Sequence, residues 1–223
     1  NEPDLVDIYE LVINPENEYQ YQMDGKWVDF EVDIAKIKVK LLGPLKWTFK
    51  REVLWSMHGP VIRASHGTYA IRYAGFDKTM QVEQWYRMNK ATNITEFEQA
   101  MQMMQIPMFN TGYADYDGNL FYIYNALLPK RLENYNWAGI LPGNNSELIW
   151  NTYYPYDSLP QIKNPESGFF QNCNSTPYLA SFGEDNPDII LPQNTGIETF
   201  QTNRAMRAHE LFGADKAISK EEF

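Results

Sequence analysis

Along the first half of the chain, apolar residues come in short alternating runs, the two-residue period of strands with one buried face. Leu5 to Ile13 opens the series, and Tyr19 to Met23 and Lys26 to Glu31 follow on either side of Asp24-Gly25. Asp-Gly between two such runs predicts a hairpin, because both residues tolerate the positive φ of a tight turn. Ile37, Val39 and Leu41 then alternate with Lys36, Lys38 and Lys40, which predicts a half-buried strand. Past the break at Gly43-Pro44, Trp47, Phe49, Val53 and Trp55 share one face with Arg51, opposite Thr48, Lys50 and Glu52. Thr68 to Ala74 predicts a further short strand.

The period then changes. Asn93 is placed to cap a helix with Glu96 at its third position, and Phe97, Met101 and Met104 fall on one stripe before Pro107. That methionine stripe reads as core packing rather than as a cofactor contact. Phe109 to Tyr116 and Asn119 to Asn125 form a second predicted hairpin around Asp117-Gly118. From Leu128 to about Gln201 the periodicity fades into Pro, Gly, Asn and aromatic residues, as in Pro142-Gly143-Asn144-Asn145. Long irregular stretches of this kind predict a structured functional surface. Asn203 to Phe212 predicts a short helix with Met206 inward, and Ser219-Lys220-Glu221-Glu222 is a capping box that announces another. The expected organisation is a strand-rich portion with one helix over 1–127. An irregular segment ending in short helices follows over 128–223. With no initiator Met and a helix announced at the far end, the chain reads as a fragment of something longer.

Composition narrows the function classes. Aromatic residues make up 15% of the chain, which suits a folded, β-rich protein rather than disorder. The formal net charge of −10 repels nucleic acid and anionic membranes, and no basic patch offsets it. Cys173 is the single cysteine, so neither an internal disulfide nor a cysteine-based zinc site is expected. His58, His66 and His209 lack the spacing of a metal-binding motif, and no organic cofactor is expected. No apolar run approaches the ~20 residues of a membrane span.

Four groups of residues carry candidate chemistry. Asp4 and Asp7 flank Val6, so two carboxylates and a backbone carbonyl offer oxygen ligands to a hard cation such as Ca²⁺; solvated loop acids are the plainer reading. Asn172 and Asn174 point the same way if their segment is extended, and a carboxamide NH₂ aimed into a pocket stabilises a developing oxyanion. The plainer reading is that they satisfy loop backbone groups. Arg204 gains nothing from the dipole at the start of its helix, so either a specific partner or a surface ion pair accounts for it. His58 has no Ser or Asp partner visible in the sequence, and Tyr113 to Asn119 reads mainly as a tight turn.

Several stretches, in this order, resemble the penicillin acylase family of N-terminal nucleophile hydrolases, in the central part of its β-chain. They are Asp4 to Tyr9, His58-Gly59-Pro60-Val61-Ile62, Tyr113 to Asn119, Pro142-Gly143, Asn164-Pro165-Glu166-Ser167-Gly168 and Asn172 to Pro177. The resemblance implies an α+β fold, part of a four-layer αββα sandwich. It also implies an amidohydrolase in which a Ser, Thr or Cys exposed by autoproteolysis attacks an amide carbonyl, its own α-amine acting as base. By the same resemblance Asn174 holds the oxyanion, Arg204 supports it, and Trp85 and Phe109 line an apolar acyl pocket. Asp4, Val6 and Asp7 hold calcium, with a further ligand near Asp185. The implied partners are a small N-acyl substrate, an α-chain and the remainder of the β-chain, in a periplasmic or secreted protein. The nucleophile and the backbone oxyanion donor would lie outside this sequence, so the chain alone is expected to be inert. Two alternatives stay open: a family member that binds ligand without catalysis, and an aromatic-rich carbohydrate-binding β module.

Overall fold

A computed structural model describes residues 4–214; Asn1 and the capping box at Ser219 lie outside the described residues. In chain order the strands begin β1 (Val6–Glu10), β2 (Ile13–Asn14), β3 (Asn17–Met23), β4 (Lys26–Asp29), β5 (Glu31–Leu42), β6 (Leu45–Trp55), β7 (Pro60–Ala64) and β8 (Gly67–Tyr73). Helices α1 (Gln81–Lys90) and α2 (Ile94–Met101) follow, then β9 (Met108–Ala114), β10 (Leu120–Ala126), β11 (Ile140–Pro142), β12 (Gln161–Lys163) and α3 (Asn203–Ala214). The fold is α+β and strand-rich, with three α-helices among the described residues.

The chain divides into two units that interleave along the sequence. A ribbon unit takes Val6–Tyr73 and Arg131–Asn151. A helical unit takes the described residues before Val6, Ala74–Lys130, and those from Thr152 on.

The ribbon unit holds a six-stranded sheet in the order β11-β1-β8-β7-β6-β5 and a small sheet β2-β3-β4. Both predicted hairpin partners pair antiparallel around Asp24-Gly25, each of which has positive φ. Strand β1 turns its polar face inward: Asp7 and Tyr9 are buried, whereas Val6 and Ile8 are exposed. This reverses the solvated reading of Asp7, and the reason is a set of partners far along the chain. Arg131 Nε donates to Asp7 Oδ2 at 2.9 Å with both side chains fully buried, and Trp150 Nε1 donates to the same oxygen. Tyr9 donates its hydroxyl to the carbonyl of Leu148 at 2.8 Å. These bonds bring residues 131–151 onto β1.

Strands β5 and β6 form a long ribbon, with Ile37 opposite Phe49 and Val39 opposite Trp47. The alternation is present, but the expected half-burial is not: these four side chains are exposed, Trp47 to 60%. The opposite face pairs Lys36 with Lys50 and Lys40 with Lys46.

His58, at the turn between β6 and β7, is buried with both ring nitrogens lacking a hydrogen-bond partner among the described residues. Its ring lies 4.3 Å from that of Tyr9. Ser56 supplies no catalytic partner, because its hydroxyl serves the turn by accepting from the His58 backbone and donating to the Gly59 carbonyl. Burial, with the Arg72 guanidinium adding to it, pushes the His58 pKa down to about 4 from 6.5. A lowered histidine pKa means that the unfolded chain binds the extra proton first. The stabilisation by neutral His58 is complete above pH 6.5 and is lost as pH falls to about 4. That loss amounts to roughly 3 kcal/mol. His58→Phe, which keeps a ring against Tyr9, is expected to remove this part of the acid sensitivity. Thermal unfolding of both proteins at pH 7 and pH 4.5 checks it, and equal acid slopes would sink the assignment.

In the helical unit, β9, β10 and β12 form a three-stranded sheet in the order β12-β10-β9. Tyr122, Ile162 and Ala180 pack as its core, with Phe170 against them. The sequence pattern finds one helix before residue 127, and the structure has two. Helix α1 has no side-chain cap and no capping signal in the sequence. Helix α2 is capped as expected, Asn93 accepting from the Glu96 N–H at 3.0 Å, with Glu96 reaching back to Thr92. Phe97 and Met101 are buried, but α2 ends at Met101, and Met104 sits beyond it at φ +49°.

Candidate active site

The site is built from the loop after β12, the start of α3, and the edge strand β9, all in the helical unit. Gly112 on β9 lets the loop settle on the sheet, because a Cβ there would come 2.9 Å from the ring of Phe170. Gln171 pins the loop base twice, its N–H donating to the Ala180 carbonyl at 2.7 Å and its side chain to that of Leu179 at 3.1 Å. Farther along, Thr176 donates its N–H to the Phe200 carbonyl.

Between these anchors Asn174 adopts φ +53°, a left-handed conformation that asparagine tolerates better than most side chains. Its backbone N–H donates to Asn172 Oδ1 at 3.3 Å. From the first turn of α3, Arg204 Nη2 donates to Asn174 Oδ1 at 3.0 Å and to the Cys173 carbonyl at 3.1 Å. A guanidinium only donates, so the amide oxygen of Asn174 must be the atom that faces it. The Asn174 NH₂ group is thereby turned away from Arg204, and no described residue accepts from it. Arg204 therefore has specific partners, which answers why a cation stands at a helix start.

Thr202 caps α3, its hydroxyl accepting from the Ala205 N–H at 3.2 Å and donating to the Cys173 carbonyl at 3.0 Å. The helix docks through Ala205, His209 and Phe212. His209 Nε2 lies 2.8 Å from the Leu179 carbonyl, and its ring stands edge-on to Phe169 and Phe182. The Phe212 ring lies 4.6 Å from that of Phe169. Met206, expected inward, is 50% exposed and Ala205 is buried instead. One residue turns a helix by ~100°, so the pattern found the helix but missed its phase.

Trp85 on α1 and Phe109 on β9 meet edge to face, with centroids 5.4 Å apart, and remain 40% and 49% exposed. They form an open apolar shelf. Helix α1 is held there by Gln84, which sequence reading missed. Its fully buried carboxamide accepts from the N–H groups of Gln105 and Ile106, at 2.7 and 3.0 Å, on the segment leading into β9. No sequence signal marks it, since its value lies in two backbone donors twenty residues away.

The other predicted residues are distributed differently. Asp4 belongs to the helical unit, where its N–H donates to the Thr195 carbonyl at 3.1 Å, whereas Val6 and Asp7 belong to the ribbon unit. Asp185 accepts from the backbone N–H groups of Ser167 and Glu166, both at 2.9 Å, and its pKa is lowered first by the Ser167 side chain and then by those bonds. It holds a loop together. Among the described residues no group of three or more His, Cys, Asp or Glu side chains is placed to hold a metal ion. For calcium the donor chemistry is suitable, but Asp7 already shares one carboxylate oxygen with Arg131 and Trp150.

Comparison with known proteins bears on the whole chain. The sequence model of a family described as penicillin amidase matches residues 1–223. An acyl-homoserine lactone acylase PvdQ of Pseudomonas fluorescens is 25% identical over 200 residues, which span 78% of this chain and 25% of the relative. Penicillin G acylase of Escherichia coli is 28% identical over 178 residues, 78% of this chain and 20% of that protein. The chain thus spans about a quarter of the length of these curated relatives. Among solved structures, a thermostable penicillin G acylase from Alcaligenes faecalis matches in fold with a TM-score of 0.77 at 23% identity. That match covers 98% of this chain and 38% of the other.

Proposed function

The chain belongs to the penicillin amidase family, and from that premise we propose that it is the oxyanion-stabilising part of an acylase that hydrolyses the amide bond of an N-acylated small molecule. The observation that carries this reading is the bond from Arg204 to Asn174 Oδ1, which sets the carboxamide NH₂ as a fixed donor. A nucleophilic hydroxyl or thiol, supplied from outside this sequence, adds to the amide carbonyl carbon, and the carbonyl electron pair moves onto oxygen. Asn174 Nδ2–H donates to that oxygen as its charge grows. The nucleophile's proton passes through its own α-amine to the leaving nitrogen, the C–N bond breaks, and water then releases the acid from the acyl-enzyme. Trp85 and Phe109 receive the apolar acyl group.

Asn174 has a donor to give and needs no metal to give it. Calcium has a structural place in the proposal on family grounds alone; of its expected ligands Asp4, Val6 and Asp7, the last already has Oδ2 on Arg131 and Trp150. Among the described residues no helix is long and apolar enough to cross a membrane. Export to the periplasm or beyond, autoproteolytic processing and an α-chain partner complete the reading on family grounds. The carbohydrate-binding alternative gives way to family membership.

The test is expression of the full-length precursor, mass determination of the new N-terminus, and assay of N-acyl homoserine lactones and penicillin G as probes. Cleavage to a Ser, Thr or Cys with hydrolysis of an acyl probe is the expected result, and a chelator is expected to lower the unfolding temperature. An uncleaved protein that binds acyl probes without turnover would replace the enzyme with a binding protein on the same fold.

A further inference from the structure

We propose that Tyr122, Asn110 and Asn172 form a positioning relay that fixes Asn174 from the sheet side, so that its carboxamide is aimed by two independent tethers; this rests on the acylase reading above. The relay begins in the core. Tyr122 on β10 is buried with Ile162, Ala180 and Phe170, and its hydroxyl donates to Asn110 Oδ1 on β9 at 3.0 Å. Asn110 Nδ2 donates to Asn172 Oδ1 at 3.3 Å, and that same oxygen accepts the backbone N–H of Asn174 at 3.3 Å.

Chemistry orders the relay in one direction. Burial raises the Tyr122 pKa, so its hydroxyl stays protonated and donates. The direction is set from the other end: the Asn174 backbone N–H only donates, which turns Asn172 Oδ1 toward it, Asn110 Nδ2 toward that oxygen and Asn110 Oδ1 toward Tyr122. The oxygen of Asn172 is therefore the end that meets both Asn110 and the Asn174 backbone. Asn174 has a left-handed backbone, which is sterically costly for a residue with a Cβ and persists where surrounding bonds hold it. The relay secures its N–H, and Arg204 secures its Oδ1. One polar hydrogen-bonding group of the side chain is left over, the NH₂ that the mechanism uses. Asn110, the middle member of the relay, follows Phe109 on β9, so the strand that presents the acyl shelf carries the tether of the oxyanion donor.

The experiment uses the processed full-length enzyme with the acyl probe it hydrolyses best. Tyr122→Phe, which removes only the donating hydroxyl, and Asn172→Ala are each expected to lower kcat roughly tenfold with KM nearly unchanged. Asn172→Asp keeps an acceptor for the Asn174 N–H and is expected to recover part of the loss. The deciding measurement repeats Tyr122→Phe and Asn172→Ala on an Asn174→Ala background, where neither has further effect if the relay acts through Asn174. Undiminished losses on that background would overturn the relay and leave the acylase reading standing. Full activity of Asn174→Ala would overturn both. Should Tyr122→Phe unfold, the exposed Asn172 variants carry the same test, and unchanged kcat in Asn172→Ala overturns the relay.

Discussion

Asn174→Ala is expected to lower kcat of the full-length enzyme by roughly 10²–10³-fold, the range for removing one oxyanion donor. The loss follows from geometry already present before substrate arrives. Arg204 holds Oδ1 at 3.0 Å, so no rotation of the amide is needed when charge appears on the substrate oxygen. A fixed donor costs no reorganisation at the moment of reaction, which is why it exceeds an ordinary exposed hydrogen bond in effect. KM is expected to change far less, since the bond strengthens mainly in the transition state. Asn174→Asp is expected to be at least as damaging, because it sets a carboxylate where negative charge develops. Thermal unfolding should fall only slightly, since Asn174 is exposed and alanine merely tolerates its left-handed backbone less well. Steady-state kinetics of both variants decides it, and an alanine variant within a fewfold of wild type would remove Asn174 from the mechanism.

Arg131→Met carries the largest expected stability effect, a loss of about 3–5 kcal/mol, because it leaves a buried carboxylate without its cation. Arg131 and Asp7 are both 0% exposed by side chain, and the guanidinium also lies 5.4 Å from the Trp137 ring centre. The substitution keeps much of the packing volume and removes the charge, so the cost falls on Asp7 rather than on a cavity. Pairing it with Asp7→Leu is expected to recover a large share of the loss, since neither charge is then stranded. Chemical unfolding of the single and double variants measures the coupling. A single variant as stable as wild type would mean that Asp7 finds another counter-charge.

Much of the secondary structure was legible because it rests on local rules. Asp24-Gly25 and Asp117-Gly118 mark turns by backbone preference alone, and Asn93 with Glu96 marks a helix start by donor and acceptor spacing. Helix α1 was not legible, since it has no cap and its one buried polar residue, Gln84, acts on backbone groups of a distant loop. The phase of α3 was misread because Ala205 is small and Met206 is greasy, and packing on Phe169 and Phe182 outweighs residue hydrophobicity.

For the site, the sequence identified the family and, by resemblance, offered the asparagine pair, the arginine and the two aromatics as candidates, each a residue type matched within a collinear pattern. It could not orient them. Arg204 lies thirty residues from Asn174, and the direction of an amide is settled by which neighbour can only donate. From the residues alone Asp7 reads as a solvated loop acid and by resemblance as a calcium ligand, whereas in the structure Arg131, 124 positions along the chain, pairs with it in the interior. Tyr122 and Asn110 were strand residues to the sequence and became a tether to Asn172 only when β9 and β10 paired. Local preference is written in neighbouring residues, but the aim of a side chain and the charge of a buried group depend on what the tertiary fold brings beside them.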